Sequence, residues 1–431
     1  MSQHAPEPAV PAPAARASSP EVVVRMYNVG FGDCFLVTIP TPDGSDARRI
    51  LIDCGTHPSS TGKHTATQLV PLILEDLEAE AGRLRIDVVV ASHRHRDHVS
   101  GFTAKRWAEV EVGEVWMPWT EDPNDPVATT LRDKMGFSAD SLNLAAAAFA
   151  KPSLAVDAAR ELLANNLALR NESAMDTLWT GFLGKPLRRY LSAAARPLRT
   201  PLLPGVKIHV LGPSTDEAVI RDLEPPKTET FANAAAAADS DAVPPPMPFD
   251  AEWAVPAARA KRGAGFPGDR VPGQIVGAIR ALAADELLAA AASFTNSING
   301  TSLMLVLEVG DLFLFFPGDA QWGSWKRVLD EPKLRALLRR CSFYKIGHHG
   351  SHNATPTTFV NEVMAGASTA AISVAPVKVW PLIPQTTLVE NIRNAGVIVF
   401  ESVAPPVAGV APNVTVRDDR SIDFRFARSA T

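Results

Sequence analysis

Ser92-His93-Arg94-His95-Arg96-Asp97-His98 places four metal-competent side chains within six positions, directly after the apolar run Ile86-Asp87-Val88-Val89-Val90-Ala91. Imidazole nitrogen together with carboxylate oxygen suits zinc first, with manganese and iron as alternatives. A strand alternates its side chains, so His93 and His95 point the same way. The turn that follows carries Asp97 and His98 to a second metal position. Leu314-Phe315-Phe316-Pro317-Gly318-Asp319 offers another carboxylate just after a buried strand. Asp319 could bridge two cations with its two oxygens, or it could cap a helix starting near Trp322. In Ile346-Gly347-His348-His349-Gly350-Ser351-His352, adjacent histidines point in opposite directions, so one of His348 and His349 is expected to ligate. The other would support it or shuttle a proton, and His352 could back up either role.

These residues need a scaffold. Val22–Tyr27, Cys34–Ile39 and Arg49–Asp53 read as strands, separated by glycine- and proline-bearing turns. Thr67–Ala81 has helical spacing, with Leu69, Val70, Ile73, Leu74 and Leu77 on one side. The metal-bearing strand follows, then a short helix at Ala104–Val110 and a strand at Gly113–Met117. Residues 140–195 are Ala- and Leu-rich and read as helical. Val206–Leu211 reads as a strand, 222–270 as a flexible insertion and Gln274–Ala292 as a helix. Ser302–Val309 and Leu312–Phe316 flank Gly310-Asp311, a hairpin signal. Strands at Phe343–Ile346, Ala370–Val374 and Val397–Val403 alternate with helical patterns, and Val414–Phe426 reads as a last hairpin. The pattern predicts a layered α/β domain over 21–431, with a helical, partly flexible insertion at about 120–295. Residues 1–20, rich in Ala and Pro, read as a disordered tail.

The chain has 431 residues and a net charge of −5, which gives no general electrostatic case for nucleic acid. Arg335, Arg339, Arg340 and Lys345 form a local basic group that reads as a solvated helix face. Cys34, Cys54 and Cys341 are too few and too widely spaced for a disulfide framework, and each reads as a small buried hydrophobe. No apolar run approaches the roughly 18 residues of a membrane span, and a cytoplasmic location is expected. His209 follows a strand alternation and reads as a packed histidine. His57 and His64 fall in a loop where exposure is the expectation, and Asp33 reads as a turn former.

His93-x-His95-x-Asp97-His98, the Asp319 turn and His348-His349-Gly350-Ser351 resemble the metallo-β-lactamase fold superfamily. More narrowly they resemble the branch that contains the hydrolase domain of the competence protein ComEC. Asn28-Val29-Gly30-Phe31-Gly32-Asp33, Leu51-Ile52-Asp53-Cys54-Gly55 and Asn299-x-x-Ser302-Leu303 are similar to further turns of that branch. The resemblance covers about 22–119 and 297–400 and leaves the insertion unmatched. It implies an αββα four-layer sandwich with the metals at one edge. It implies that His93 and His95 hold one cation, Asp97 and His98 the other, and that Asp319 bridges. His349 or His348 would complete a site, and Asp53 would orient a ligand from behind. Two departures matter. The separate Gly-His-Thr ligand motif of other superfamily members is absent. Trp380, in Val377-Lys378-Val379-Trp380-Pro381, stands where the branch often carries a ligating histidine, so the Asp97/His98 position is expected to be short of a ligand.

One or two divalent cations in such a site would activate water near neutral pH and stabilise charge on a phosphoryl or carbonyl oxygen. Asp97 would orient the water, and His348, His349 or His352 would protonate the leaving group. The resemblance implies a phosphodiester substrate, in a nucleic acid or a smaller molecule. A small-molecule esterase, lactonase or thioesterase is the rival enzyme. A degenerate metal-binding module that docks a protein partner on the helical insertion is the rival outside enzymes.

Overall fold

The computed structural model describes residues 21–149, 153–166, 168–231, 284–364, 369–378, 380–403, 411 and 413–428. The tail at 1–20 and most of the 222–270 segment lie outside them. The chain is a mixed α/β protein built on two mixed sheets. The larger sheet has the order β13-β14-β1-β2-β3-β4-β5-β6. Its strands are β1 (Glu21–Tyr27), β2 (Phe35–Pro40), β3 (Ala47–Ile52), β4 (Arg85–Val90), β5 (Glu111–Pro118), β6 (Leu187–Leu191), β13 (Val414–Arg417) and β14 (Ser421–Ala427). The smaller has the order β12-β11-β10-β9-β8-β7. Its strands are β7 (Val206–Gly212), β8 (Met304–Val309), β9 (Leu312–Phe316), β10 (Phe343–Lys345), β11 (Thr369–Ile372) and β12 (Ile398–Glu401).

Period-two alternation divides each strand between two cores. Val22, Val24, Phe35, Val37, Ile50, Val88 and Val90 of the first sheet share one buried cluster with Leu305, Leu307, Leu314 and Phe316 of the second. The opposite face of the first sheet, through Leu36, Leu51 and Val89, packs on helix α1 (Ala66–Ala81). Threonine and glutamine close a capping box at the start of α1, with Thr65 and Gln68 satisfying each other's backbone. The opposite face of the second sheet, through Val306, Phe313 and Phe315, meets Trp325, Leu338 and Leu388.

The sequence reading of 140–195 as helical is corrected at its end. Leu187–Leu191 is an edge strand, paired in parallel with β5, and Arg189 on it grips Glu114 with two hydrogen bonds of 2.8 and 2.9 Å. Ahead of it lie α2 (Arg96–Val99), α3 (Pro126–Ala148), α4 (Leu154–Asn165) and α5 (Ala168–Asp176). Helix α6 (Glu217–Arg221) follows β7, and α7 (Ala284–Asn299) leads into β8. Helices α3, α4 and α7 form their own apolar cluster through Leu131, Leu142, Val156, Leu163, Leu287 and Phe294. No helix among the described residues is long and apolar enough to cross a membrane.

Candidate metal centre

The C-terminal ends of β3, β4, β9 and β10 meet at one edge, and each delivers part of a buried cluster. Strand β4 stops at Val90, so the His93–His98 motif rides on the loop and on α2 rather than on the strand itself. The extended stretch still brings the two imidazoles together, with His93 Nε2 2.9 Å from His95 Nδ1. The first turn of α2 then turns Asp97 and His98 inward, both at most 2 % exposed. The Gly55 backbone seats this turn. A Cβ there would lie 2.3 Å from the Asp97 carbonyl carbon and the His98 nitrogen, so only glycine fits.

Asp97, His98, Asp319 and His349 converge. His98 Nε2 lies 3.2 Å from Asp319 Oδ2 and 3.7 Å from Asp97 Oδ1, and His349 Nε2 lies 3.3 Å from Asp97 Oδ2. Zinc bonds of about 2.0–2.1 Å set adjacent ligand atoms of a tetrahedral site about 3.3 Å apart. The cluster has that spacing. Each imidazole also has its outer nitrogen occupied. His98 Nδ1 lies 2.9 Å from Asp53 Oδ2, and His349 Nδ1 donates to the Ser373 carbonyl at 2.8 Å. Asp53 in turn accepts from the Ser92 amide and hydroxyl, both at 2.7 Å. With a metal bound, such outer contacts would fix the tautomer and turn the inner nitrogen to it as a ligand. His349 Nε2 is buried with no hydrogen-bond partner. The donor set therefore fits a divalent cation.

The backbone is bent to reach this arrangement. Asp53, His348 and His349 have φ of 56°, 44° and 50°. Left-handed backbone at a residue other than glycine costs about 1–3 kcal/mol and persists where surroundings over-determine it. The His348 amide donates to Asp319 Oδ1 at 3.1 Å, which helps to hold the strained pair.

Charge in the cluster is balanced by a residue read from sequence as part of a solvated helix face. Lys345 is 2 % exposed on β10, and its ammonium contacts Asp33 and lies 3.4 Å from Asp319 Oδ1. Burial alone would discharge this amine, but Asp33 and Asp319 outweigh it and hold it protonated. Asp33 is likewise corrected from a turn former to a buried carboxylate, 3.6 Å from His98 Nδ1. Burial opposes charge on His98, yet Asp319, Asp97 and Asp53 together raise it well above an ordinary histidine. Burial, with His98 and His95 beside it, pushes His93 well below.

The other expected residues are placed as follows. His348 stands next to the cluster, with Nε2 3.2 Å from Asn299 Nδ2 and Nδ1 2.7 Å from Ser351 Oγ, so both nitrogens have neighbours. His352 is not brought in. Its side chain is 48 % exposed, 3.8 Å from Glu224. His209 pairs with Glu308 at 2.7 Å, away from the site. His57 is buried rather than exposed, edge-on to Trp380 at a ring distance of 4.8 Å. At the Asp97/His98 position, expected to be short of a ligand, His349 stands 3.3 Å from Asp97, while His93 also groups with Asp97 and His98. Trp380 forms a wall with Phe31, whose ring lies 4.2 Å from His349.

One contributor came from outside every motif. Asn165, at the end of α4, donates to Asp97 Oδ1 at 2.9 Å and accepts from the Asp97 amide at 3.1 Å. Asn171 on α5 donates to the Arg94 carbonyl at 2.8 Å. The helical insertion is thus tied to the His93–His98 loop. A buried asparagine beside a helix end was the only signal in the sequence. No family model matches the chain, and no curated protein matches it either.

Proposed function

We propose that this protein is a metal-dependent hydrolase with the αββα arrangement of the metallo-β-lactamase fold. The observation that carries the reading is two buried groups at ligand spacing that share His98, one with His93 and Asp97 and one with Asp319 and His349, with the outer atoms of His98, Asp97, His349 and Asp319 already engaged. His98, Asp319 and His349, with Asp97 beside them, would hold one cation, and His93 and His95 could take part in a second position. Zinc fits the nitrogen-rich donor set best. Bound there, the cations supply a water of lowered pKa and a Lewis acid for the substrate oxygen. Asn165 holds Asp97 Oδ1 and His349 faces Asp97 Oδ2, so the carboxylate is fixed in the site, where it would orient the attacking water. Asp53 keeps the His98 ring oriented through Nδ1. Lys345 offsets the negative charge of Asp33 and Asp319, and although burial opposes it, His98 and Lys345 together hold the Asp319 carboxyl well below the usual carboxylate range.

A phosphodiester is the leading substrate, on the resemblance of the motifs. A small carboxylic ester, lactone or thioester is the second reading. It is favoured by the helices α3, α4 and α5, which stand over the His93–His98 loop and bond to it through Asn165 and Asn171. A metal-binding module without activity, docking a partner on the helical insertion, is the third reading, and metal binding without turnover would favour it. The test is a panel of bis-p-nitrophenyl phosphate, single- and double-stranded DNA, a lactone and a thioester, assayed with zinc and with manganese. Metal-dependent cleavage of the phosphodiester supports the first reading. Turnover of the lactone or thioester alone replaces it with the second, and no turnover of any member with metal bound removes the hydrolase reading.

A further inference from the structure

We infer that a cleft beside His95 receives one short, mainly apolar group of the substrate that carries a hydrogen-bonding function, such as an amide or hydroxyl. The cleft lies between the metal-binding loop and helices α3, α5 and α7. Its walls include Met135, Ala139, Met175, Phe294 and Ile298, and His95 and Arg94 border it on the loop side. The interior measures about 50 Å³. One water-sized centre takes roughly 10–15 Å³, so the cleft holds about three to five non-hydrogen atoms. A short alkyl chain fits, and a purine base does not.

Gly136 supports this assignment. It lies inside the 23-residue helix α3 and borders the cleft. Glycine within a helix costs about 1 kcal/mol relative to alanine. Neither backbone approach nor positive φ explains it, because a Cβ built at Gly136 meets nothing within 4 Å. The missing side chain leaves space in the cleft.

Polar atoms at the cleft supply the second argument. His95 Nε2, Asn166 Oδ1 and Trp179 Nε1 are buried and lack partners among the described residues. The Asn166 amide orientation is fixed, since Nδ2 donates to the Leu162 carbonyl at 2.7 Å and to Thr295 Oγ1 at 2.8 Å. Asn166 therefore offers an acceptor and Trp179 a donor. Leaving such groups unsatisfied costs about 1–3 kcal/mol each. An amide or hydroxyl on an otherwise apolar group supplies what they lack. The role as a substrate recess rests on the hydrolase reading, because His95 joins the cleft to the metal centre; occupancy of the cleft does not.

The test follows the Trp179 indole N–H by NMR in the metal-free protein, with the peak assigned from Trp179→Phe. Propionamide is the short probe and decanamide the long one. The Trp179 peak is expected to shift saturably with propionamide, and about tenfold less tightly with decanamide, whose chain exceeds the cleft. Gly136→Leu fills the space while raising helix propensity, so it should fold and weaken propionamide binding about tenfold or more. Gly136→Ala adds one methyl and should weaken it less, which separates filling from helix stabilisation. A peak that does not move in the parent protein, or Gly136→Leu binding propionamide as the parent does, overturns the inference. Metal uptake is measured on the same samples. Loss of the hydrolase reading would appear as absent uptake, with the indole titration still reporting on the cleft.

Discussion

Under the proposed reading, both metal positions would depend on Asp319, and replacing it with alanine removes that shared carboxylate. Its Oδ2 faces His98 Nε2 at 3.2 Å, and its Oδ1 receives the His348 amide at 3.1 Å and faces Lys345 at 3.4 Å. A cation bound at one hundred times its Kd stabilises the folded chain by about 2.7 kcal/mol. Loss of even an outer partner of a metal ligand weakens binding about 10- to 100-fold. Loss of a charged ligand should do at least the larger, which brings the same metal concentration to about Kd and leaves about 0.4 kcal/mol. The assay is chemical denaturation of parent and Asp319→Ala, each with and without zinc. The parent should gain stability with zinc, and the variant should gain almost none and hydrolyse nothing. The metal-free variant should also be less stable by about 1–3 kcal/mol, since the His348 amide loses its acceptor while Lys345 keeps Asp33. An equal zinc-induced gain in both proteins, or full turnover by the variant, would refute the bridging role.

Other perturbations separate the parts of the site. Asn165→Ala should weaken metal binding about 10- to 100-fold, read by competition with a chelating dye, because Asp97 loses its clamp. His352→Ala should keep the parent's metal content and change kcat/KM less than about twofold, since the side chain is half exposed and off the cluster. Glu114 accepts from Arg189, Trp116 and Thr200, and although burial opposes it, these bonds hold its carboxyl below the usual 4.5. Its stabilisation is therefore full above about pH 4.5 and is lost as pH falls through the lower folded value. Glu114→Gln should cost about 2 kcal/mol at pH 7 by urea denaturation, and the gap should close as the pH drops below 4.5.

Much of the scaffold was legible because strand alternation and helix spacing are local. The apolar runs of β1 to β5 and of β8 to β11 are each bounded by a turn signal. Strand β6 was not, because Leu187-Arg188-Arg189-Tyr190-Leu191 is a half-buried edge whose arginines need partners elsewhere, such as Glu114. The metal-binding motif and Asp319 could be read from type and spacing. The pairing of imidazoles could not: His349 joins Asp97 only because the turn at His348 and His349 adopts left-handed backbone. Lys345 looked solvated because the carboxylate that buries it, Asp33, is distant in the chain. Its apolar neighbours Phe343, Tyr344 and Ile346 were the overlooked sign of a buried strand. His57 gave no such sign; its burial depends on Phe31 and Trp380, which come from two separate loops.

The central claim is that the buried His/Asp cluster is a metal site, and metal content tests it most directly. Purified protein, dialysed against metal-free buffer and measured by plasma mass spectrometry, should retain about one or more divalent ions per chain, zinc foremost, with Asp319→Ala retaining almost none. Parent protein that holds well under one ion per chain after zinc is supplied, or that holds the same amount as Asp319→Ala, would contradict it.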